Sequence, residues 1–296
     1  MPKTAPTNVP SPSASVCRVC GCRLNPKWQI RVLGRYDADY HECMACGCLQ
    51  IPAAHWLEEA YQGEGLPQKT NPDGGRFCRN FSAYVYIRAL TLAGFFGTKR
   101  PELLDYGGGS GILAAMLSGA GFVCRQYDPY CPHPMLEPEA SYSDTTRIPA
   151  AGFHAITALE VFEHLLDPIT TIRQLQGFLK PGGTLILSTG LYDSAKHGAD
   201  WSYLSCAYGQ HVTFYTTRSL TVLGKAANLP TVCLFPSDEG VLILFTHQPR
   251  RRVKRMLRWA AFYLNRSWLH SRWTVQAWDV VRRMNAHVAR QPHILS

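Results

Sequence analysis

The stretch DYGGGSG, residues 105–111, holds four glycines and is followed at once by an apolar run. It joins ELLDY, which has the composition of a buried strand, to SGILAAMLSGAG, which has that of a helix. Glycines at a strand-to-helix turn permit positive φ angles and remove Cβ atoms, so backbone N–H groups and the helix N-terminus can face a ligand. The stretch therefore predicts a ligand-binding loop after the first strand of an α/β fold.

Further strands and helices alternate on the C-terminal side of this loop. FVCRQYD and FHAITAL are predicted strands, and the predicted helix TTIRQLQGFL leads through KPGG into the strand TLILSTG. A short strand, HVTFY, a helix, TTRSLTVLGKAANL, and two strands joined by SDEG complete the pattern. Strands that alternate with helices indicate an α/β fold with a parallel sheet.

Glycine spacing alone leaves the ligand of the loop open. No G-K-[ST] follows the glycines, which excludes the phosphate-binding P-loop. Gly109, Gly111 and Ala114 fit the dinucleotide pattern G-x-G-x-x-A. Asp128 follows Gly109 by 19 residues, near the position of an acid that binds an adenine ribose. A dinucleotide and another adenosine-containing cofactor both suit this spacing.

The residues around the loop narrow the choice. Asp105 precedes Gly107 by two residues, so the stretch reads D-x-G-x-G-x-G, and a carboxylate there suits an ammonium or sulfonium group better than a pyrophosphate. ALEVFEHLLDP and LKPGGTLILST follow at the fourth and fifth strands. Together the three motifs resemble the class I S-adenosylmethionine-dependent methyltransferases over residues 101–247. The resemblance implies a Rossmann-like methyltransferase sheet with helices on both faces.

The resemblance also implies where the cofactor would bind. The glycines would line S-adenosylmethionine, Asp105 would face its methionine end, and Asp128 would hold the ribose hydroxyls through two charge-assisted hydrogen bonds. Tyr127, Pro129 or Tyr130 would flank the adenine, and a glutamate after the fourth strand would lie where methyl group and acceptor meet. The implied cofactor-binding residues are Asp105, Gly107, Gly109, Gly111, Tyr127, Asp128 and Glu160.

Transfer to a hydroxyl group also requires a base, and histidine is the natural one near neutral pH. His164 belongs to E-x-x-E-H, with Glu160 and Glu163, at the start of a helix beside the cofactor. His211 lies in GQHVTFYT, after a loop that would cover the pocket. The candidate catalytic residues are His211, Glu160 and His164. We favour His211 as base or acceptor-binding residue, and a structural hydrogen bond is the alternative role of His164.

Two cysteine pairs near the N-terminus have the spacing of a zinc ribbon. Cys17 and Cys20 form one C-x-x-C, Cys43 and Cys46 form the other, and each pair is followed by a glycine. Two such knuckles complete a tetrahedron of thiolates around one zinc ion. Four thiolates leave no open coordination position, so the predicted zinc is structural. Two further cysteines, at positions 22 and 48, are left outside this set.

A zinc ribbon ahead of this core resembles bacterial methyltransferases of sugars and secondary metabolites. The resemblance implies that residues 51–100 form a helical acceptor-site or lid segment. Four aromatic residues would then lie near the pocket, although packing in the core explains them equally well. These residues are Tyr61, Phe81, Tyr84 and Tyr86.

The positive charge of the chain belongs to its C-terminal tail. The net charge is +9, but the residues from Pro249 onward hold eleven Lys and Arg and one acid, Asp279. Tryptophans interleave with these arginines, a pattern that suits an anionic membrane surface, a nucleic-acid phosphate patch, or packing against the body or a second subunit. The last alternative assigns packing to Trp259, Phe262, Leu264, Trp268 and Trp273.

These observations divide the chain into five predicted parts. They are a disordered leader (1–16), a zinc ribbon (17–50), the helical segment (51–100), the methyltransferase domain (101–248) and a basic, tryptophan-rich helical tail (249–296). The leader has no apolar signal-peptide core, and six clustered cysteines disfavour a disulfide framework. We therefore expect a cytoplasmic protein, peripheral at the inner membrane face if the tail binds lipid.

The leading hypothesis is an S-adenosylmethionine-dependent enzyme that methylates a small molecule or glycan, on an oxygen of a sugar or secondary metabolite. One alternative is an RNA methyltransferase whose ribbon and tail bind phosphates. The ribbon holds only five basic residues, and the chain lacks the N/D-P-P-Y/F motif of base amino-group methylation. The other alternative is a non-catalytic binding protein, which D-x-G-x-G-x-G and Asp128 together disfavour.

Overall fold

In a computed structural model, the chain is described over residues 16–62, 74–131, 140–237 and 240–264, and at Thr274. The strands of this part are β1 (Leu24–Val32), β2 (Tyr36–Cys43), β3 (Leu49–Gln50), β4 (Glu102–Tyr106), β5 (Val123–Tyr127), β6 (Ser141–Tyr142), β7 (Phe153–Leu159), β8 (Leu179–Ser188), β9 (Thr213–Phe214), β10 (Thr231–Ser237) and β11 (Gly240–Thr246). Its α-helices are α1 (Leu57–Gln62), α2 (Gly74–Leu92), α3 (Ile112–Gly119), α4 (Pro168–Phe178), α5 (Thr217–Ala226) and α6 (Arg250–Leu264). The predicted leader up to residue 15 lies outside the described residues.

A seven-stranded sheet forms the centre of the fold, in the order β10-β11-β8-β7-β4-β5-β6. Five adjacent strands of this order pair in parallel with one another, namely β8, β7, β4, β5 and β6. The strand β11 is antiparallel to β8, and β10 is antiparallel to β11. This arrangement confirms the predicted α/β class with its largely parallel sheet. The predicted strands ELLDY and FHAITAL are β4 and β7. The two-residue strand β6 is too short to carry a recognisable pattern.

Helices cover both faces of this sheet. Successive residues of a strand point to opposite faces, so each strand contributes side chains to two cores. Leu103 and Ile186 enter a core that contains residues of α2 and α3. Leu104 and Leu185 enter the opposite core, with residues of α4 and α5. The strands are buried on both faces, as expected of a parallel sheet between two helical layers. The Rossmann-like architecture predicted from the sequence is therefore present.

A second, four-stranded antiparallel sheet carries the cysteine knuckles, in the order β1-β2-β3-β9. The segment KWQIRVLGRY is a strand that turns at residues 33–35 into β2. The predicted strand HVTFY contributes β9, which pairs with β3 through Leu49 and Phe214. Residues 213–214 thus complete the ribbon sheet, although some 160 residues separate them in sequence from β3. The ribbon and the larger domain are joined by shared backbone hydrogen bonds.

The described part of the basic tail is helical and packs on the body. Val253 of α6 is fully buried, and Met256 packs against the core that contains α2. Six basic side chains of the same helix are exposed. They are Arg250, Arg251, Arg252, Lys254, Arg255 and Arg258. The side chains of Trp259, Phe262, Leu264, Trp268 and Trp273 lie outside the described residues. Of the helices described here, none has the length and apolar character to cross a membrane.

Candidate active site

The glycine loop lies tightly on the strand ends beneath it and leaves room on its outer side. A Cβ atom on Gly107, whose φ angle is 71°, would lie 2.5 Å from Val161 Cγ2. A Cβ on Gly108 would lie 2.6 Å from Asp105 Oδ2. At Gly109 the nearest atom to such a Cβ is Arg76 Nη1, at 3.9 Å. The loop therefore needs glycine where it meets β4 and β7 and presents an open cradle towards α2.

Asp105 lies at the base of this cradle and is only 2% exposed. Thr157 Oγ1 donates a hydrogen bond to its Oδ1 at 2.7 Å, while Oδ2 has no hydrogen-bond partner among the described residues. Burial raises the pKa of Asp105 to about 7, against the bond from Thr157, and the negative charge of Asp128 raises it further. An unpartnered buried carboxyl oxygen costs free energy unless a donor reaches it. The site is thus chemically suited to a donor-bearing or cationic group.

Asp128 borders the same cradle at the end of β5. Its Oδ2 accepts a hydrogen bond from the Gly109 N–H, and its Oδ1 accepts one from the Tyr130 N–H, both at 2.8 Å. Each carboxylate oxygen can accept more than one hydrogen bond. The backbone therefore fixes the carboxylate beside the loop while both oxygens can still accept bonds from a pair of hydroxyls.

Aromatic side chains bound the cradle beyond Asp128. The Tyr127 carbonyl accepts a hydrogen bond from the Gly107 N–H at 2.7 Å, and the Tyr127 ring lies 5.2 Å from that of Tyr106. Tyr61 of α1 stacks on Tyr130 with ring centroids 4.5 Å apart. The other aromatic residues expected near the pocket belong to the core that contains α2. Tyr84 is fully buried in this core, and the side chains of Phe81 and Tyr86 pack against the core.

Glu160 and Glu163 meet at the hydroxyl of Tyr203. Tyr203 Oη lies 2.9 Å from Glu160 Oε2 and 2.9 Å from Glu163 Oε1, and Ser188 Oγ donates to Glu160 Oε1 at 2.8 Å. One hydroxyl proton cannot serve both carboxyls, so one carboxyl must itself be protonated. Burial, and then the charge of Glu160, raises the pKa of the wholly buried Glu163. Glu163 is therefore the member of the pair that holds the proton.

Glu160 also has a strained backbone. Its φ angle is 53°, in the left-handed region that a residue with a Cβ rarely occupies. The Glu160 N–H donates to the Ser188 carbonyl at 3.1 Å, which holds the residue at the end of β7 against the end of β8. Such strain costs on the order of 1–3 kcal/mol and is concentrated at functional sites. The carboxylate of this residue is the one that bonds to Tyr203 and Ser188.

The two candidate histidines lie side by side, and carbonyl groups set their tautomers. His211 Nδ1 is 2.7 Å from the Tyr203 carbonyl, and His164 Nδ1 is 3.1 Å from the Gln210 carbonyl. A carbonyl only accepts, so both Nδ1 atoms carry hydrogen and both Nε2 atoms offer a lone pair in the neutral ring. The rings are 4.8 Å apart and nearly perpendicular. Burial lowers the pKa of His211, although the Tyr203 carbonyl and Glu160 oppose this shift.

Two groups of side chains in the described residues have the arrangement of metal ligands. The thiols of Cys17, Cys20, Cys43 and Cys46 form one group, and Glu163, His164 and His211 form the other. In each group the ligand atoms lie within 4.8 Å of one another. The second group adjoins the candidate site and has the donor types that bind divalent cations.

The four thiols fit zinc closely. Cys17 Sγ and Cys46 Sγ are 3.6 Å apart, and Cys20 Sγ and Cys43 Sγ are 3.4 Å apart. A tetrahedral ion with Zn–S bonds of about 2.3 Å would separate its sulfurs by about 3.8 Å. The remaining ribbon cysteines differ from each other in burial: Cys22 is exposed, whereas Cys48 is fully buried beside the Cys17 thiol.

The structure brings most sequence-predicted residues together and adds others. The glycine loop, Asp105 and Asp128 surround one cradle, and Glu160, His164 and His211 lie at its side. Sequence reasoning missed Thr157, Ser188 and Tyr203, which bond to the acidic residues. Tyr203 lies in the loop WSYLSCAYGQH, where no motif distinguishes it from its neighbours.

Comparison with known proteins identifies related chains. A family model described as a methyltransferase domain matches residues 78–234, more than half of the 296 residues. The ubiquinone biosynthesis O-methyltransferase of Cereibacter sphaeroides is 33% identical over 150 residues, which cover 44% of this chain and 61% of that protein. Its namesake in Xanthomonas campestris is 45% identical over 49 residues, 17% of this chain and 20% of that protein. The chain thus spans less than two thirds of these curated relatives.

Among solved structures, human N-acetylserotonin methyltransferase in complex with SAM resembles this chain with a TM-score of 0.47. The two are 16% identical, and the alignment covers 67% of this chain and 60% of the human one.

The close contact between the loop and Asp105 predicts that Gly108→Ala destabilises the protein. The added methyl would lie 2.6 Å from Oδ2 of the buried Asp105, a carboxyl group whose other oxygen, Oδ1, is bonded to Thr157. We expect the free energy of unfolding to fall by about 1–3 kcal/mol in urea titrations. Gly177→Ala is the matched control, because nothing lies within 4 Å of its Cβ position. Equal losses in both variants would contradict the tight contact.

Protonation of Glu163 predicts a pH-dependent gain for Glu163→Gln. The raised pKa means that the folded protein keeps a proton which the unfolded chain releases above about pH 4.3, so the native glutamate loses stability as pH rises. The stability of the variant relative to wild type should therefore increase between pH 5 and 7, measured by urea unfolding. Exposed Glu58, changed to Gln, should show no such trend. A difference that stays constant with pH would show that Glu163 is ionised.

Proposed function

Because this chain belongs to the methyltransferase domain family, we propose that it transfers the methyl group of S-adenosylmethionine to an oxygen of a small molecule or glycan. The observation that carries this proposal is the open cradle of D-x-G-x-G-x-G between the carboxylates of Asp105 and Asp128. One carboxylate has an unpartnered oxygen, and the other can accept two hydroxyls. A sugar acceptor or a secondary metabolite is the substrate class that we favour.

The proposed cofactor fits the residues of the cradle. Asp128 would accept hydrogen bonds from the two ribose hydroxyls, one on each carboxylate oxygen. Asp105 would compensate the cationic methionine end, since its Oδ2 has no partner among the described residues. Gly107, Gly109 and Gly111 would line the cofactor, and Tyr127 would flank the adenine. Glu160 would border the methyl group.

S-adenosylmethionine supplies an already activated methyl group, so the chain must chiefly align the acceptor, exclude water and take up a proton. His211 is suited to the last task. Its Nδ1–H is held by the Tyr203 carbonyl, and its lowered pKa keeps Nε2 unprotonated near neutral pH. The neighbouring carboxylate of Glu160 would stabilise the imidazolium that forms.

We assign His164 a positioning role. Its Nδ1–H donates to the carbonyl of Gln210, the residue directly before His211. That bond connects the loop that ends at Gln210 and His211 to the segment that carries Glu163. The proposed zinc is structural, because four thiolates would fill its coordination sphere.

The names of the relatives support oxygen as the acceptor atom, since the curated proteins of Cereibacter sphaeroides and Xanthomonas campestris are both O-methyltransferases. The RNA-methylating and non-catalytic alternatives are not favoured. The cytoplasmic location, the contact of the tail with a membrane surface and the formation of a homodimer stay predictions.

Cofactor choice can be tested by isothermal titration calorimetry with S-adenosylmethionine and with NAD. We expect the protein to bind S-adenosylmethionine and not NAD. The affinity for S-adenosylmethionine should be about 100-fold lower in Asp128→Asn, because two charge-assisted hydrogen bonds are weakened. Exposed Asp39, changed to Asn, is the control and should bind as wild type does. Binding of NAD without a response to S-adenosylmethionine would refute the proposal.

The role of His211 predicts the pH dependence of turnover. A base must be unprotonated, so kcat/KM should be constant above pH 7 and fall only below the ordinary histidine pKa of about 6.5. Release of S-adenosylhomocysteine with phenolic and sugar acceptors gives the rate. His211→Ala should lower kcat by about 100-fold or more with cofactor affinity unchanged, whereas exposed His247→Ala should not. Unchanged turnover in His211→Ala would remove this residue from the mechanism.

A further inference from the structure

Arg18 links the two parts of the molecule through its side chain. It stands between the first two cysteines of the ribbon, at Cys17 and Cys20, and is only 9% exposed. Its guanidinium Nη1 donates to the Val212 carbonyl at 2.9 Å and to Thr213 Oγ1 at 2.8 Å. Nη2 donates to the Ile51 carbonyl at 2.6 Å. The cysteine knuckle is thereby bonded to the two residues that directly follow His211.

The residues that receive Arg18 are themselves bonded to the candidate active site. The Val212 N–H donates to the Glu163 carbonyl at 2.8 Å, and Thr213 Oγ1 donates to the Leu165 carbonyl at 2.9 Å. Both Val212 and Thr213 are fully buried. A chain of hydrogen bonds therefore leads from the knuckle through residues 212–213 to the segment 163–165 that carries Glu163 and His164.

The knuckle end of this connection is also fixed. The Arg18 N–H donates to Gln50 Oε1 at 3.2 Å, and Gln50 Nε2 donates to the Val16 carbonyl at 3.3 Å. On the neighbouring knuckle, Thr216 Oγ1 donates to the Cys46 carbonyl at 2.7 Å. Both knuckles thus hold the ends of the short segment 211–216.

The charge of Arg18 is buried in the ribbon, directly after Cys17 in sequence, one of the four proposed zinc ligands. Among the residues that the structure describes, no ion pair joins its guanidinium to a carboxylate. The groups that face it electrostatically are Cys48, Tyr215 and Cys17. Four thiolates around Zn²⁺ carry a net charge of about −2. A metal-loaded ribbon would therefore supply a compensating negative charge to this buried cation.

We propose that Arg18 is a positioning residue through which the metal-loaded ribbon holds His211 in place. The ribbon then keeps the acceptor side of the site in order, where His211 and Glu163 lie. It does not affect the glycine loop or the cofactor bound there. The assignment of His211 to the acceptor rests on the proposed function, but the physical coupling does not.

The coupling can be tested in the full chain with Arg18→Lys, which keeps the charge and loses the planar fork of donors. We expect unchanged zinc content and S-adenosylmethionine affinity. Amide hydrogen exchange over residues 208–216 should become about tenfold faster or more, because several hydrogen bonds are lost. The ¹⁵N resonances of the His211 ring should shift. Arg23→Lys, an exposed ribbon arginine, should change none of these. Wild-type exchange and ring resonances in Arg18→Lys would overturn the proposal.

A second variant approaches the same contact from the receiving side, so that damage to the ribbon cannot explain the result. Thr213→Val deletes the hydroxyl that accepts from Arg18 and donates to the Leu165 carbonyl, so it breaks two consecutive links of the connection, whereas Thr213→Ser retains both. We expect faster exchange over residues 208–216 in the valine variant and protection close to wild type in the serine variant. Equal protection in both would count against the coupling.

Removing the metal with a chelator under reducing conditions tests whether the ribbon acts on the site. Exchange should accelerate over residues 208–216 and stay unchanged over residues 105–111. A metal-free chain that protects residues 208–216 as the zinc-loaded chain does would overturn the proposal. Should calorimetry show no S-adenosylmethionine binding, the proposed function would fail, and these exchange results would still decide the role of Arg18.

Discussion

The contact between the glycine loop and the ends of β4 and β7 is the constraint on which the candidate site depends. The loop backbone comes so close to Asp105 and Val161 that a methyl group on Gly108 or Gly107 would clash. This closeness buries Asp105 below the loop and brings the Gly109 N–H to Asp128. The open space over Gly109 and the positions of the two carboxylates both follow from this close packing of the loop on the strand ends. The buried carboxyl of Asp105 and the carboxylate of Asp128 are thereby brought to the same end of the sheet.

The acceptor side is organised differently, by hydrogen bonds between segments that are distant in sequence. Tyr203 holds Glu160 and Glu163 through its hydroxyl and His211 through its carbonyl. Tyr203 therefore joins the pair of acidic residues to the candidate base through its side chain and its backbone. Arg18, which is 194 residues from Val212 in sequence, fixes the far end of the same loop. The proposed coupling through Arg18 would give the ribbon a role in ordering the site.

Much of the fold and half of the site could be predicted from the sequence, because their signals are local. The strands at ELLDY and FHAITAL, the glycine loop and the paired cysteines each show within a few residues. Asp105 and Asp128 stand at fixed distances from that loop. Tyr203 and Arg18 gave no such signal, since their partners are distant in sequence. Glu160 and Glu163 precede Tyr203 by 43 and 40 residues, and the pairing of β3 with β9 brings Thr213 towards Arg18. The sequence could not decide whether the aromatic residues of α2 line the pocket or pack in the core, and the structure places Tyr84 in the core.

A crystal structure with S-adenosylhomocysteine would show whether the glycine loop and Asp128 form the cofactor site. We expect the two ribose hydroxyls to bond to the two carboxylate oxygens of Asp128 and the methionine end to lie over Gly107 and Gly109. The homocysteine sulfur should then face Glu160 and His211. Ligand density away from the glycine loop, or a loop that binds a pyrophosphate instead, would contradict it.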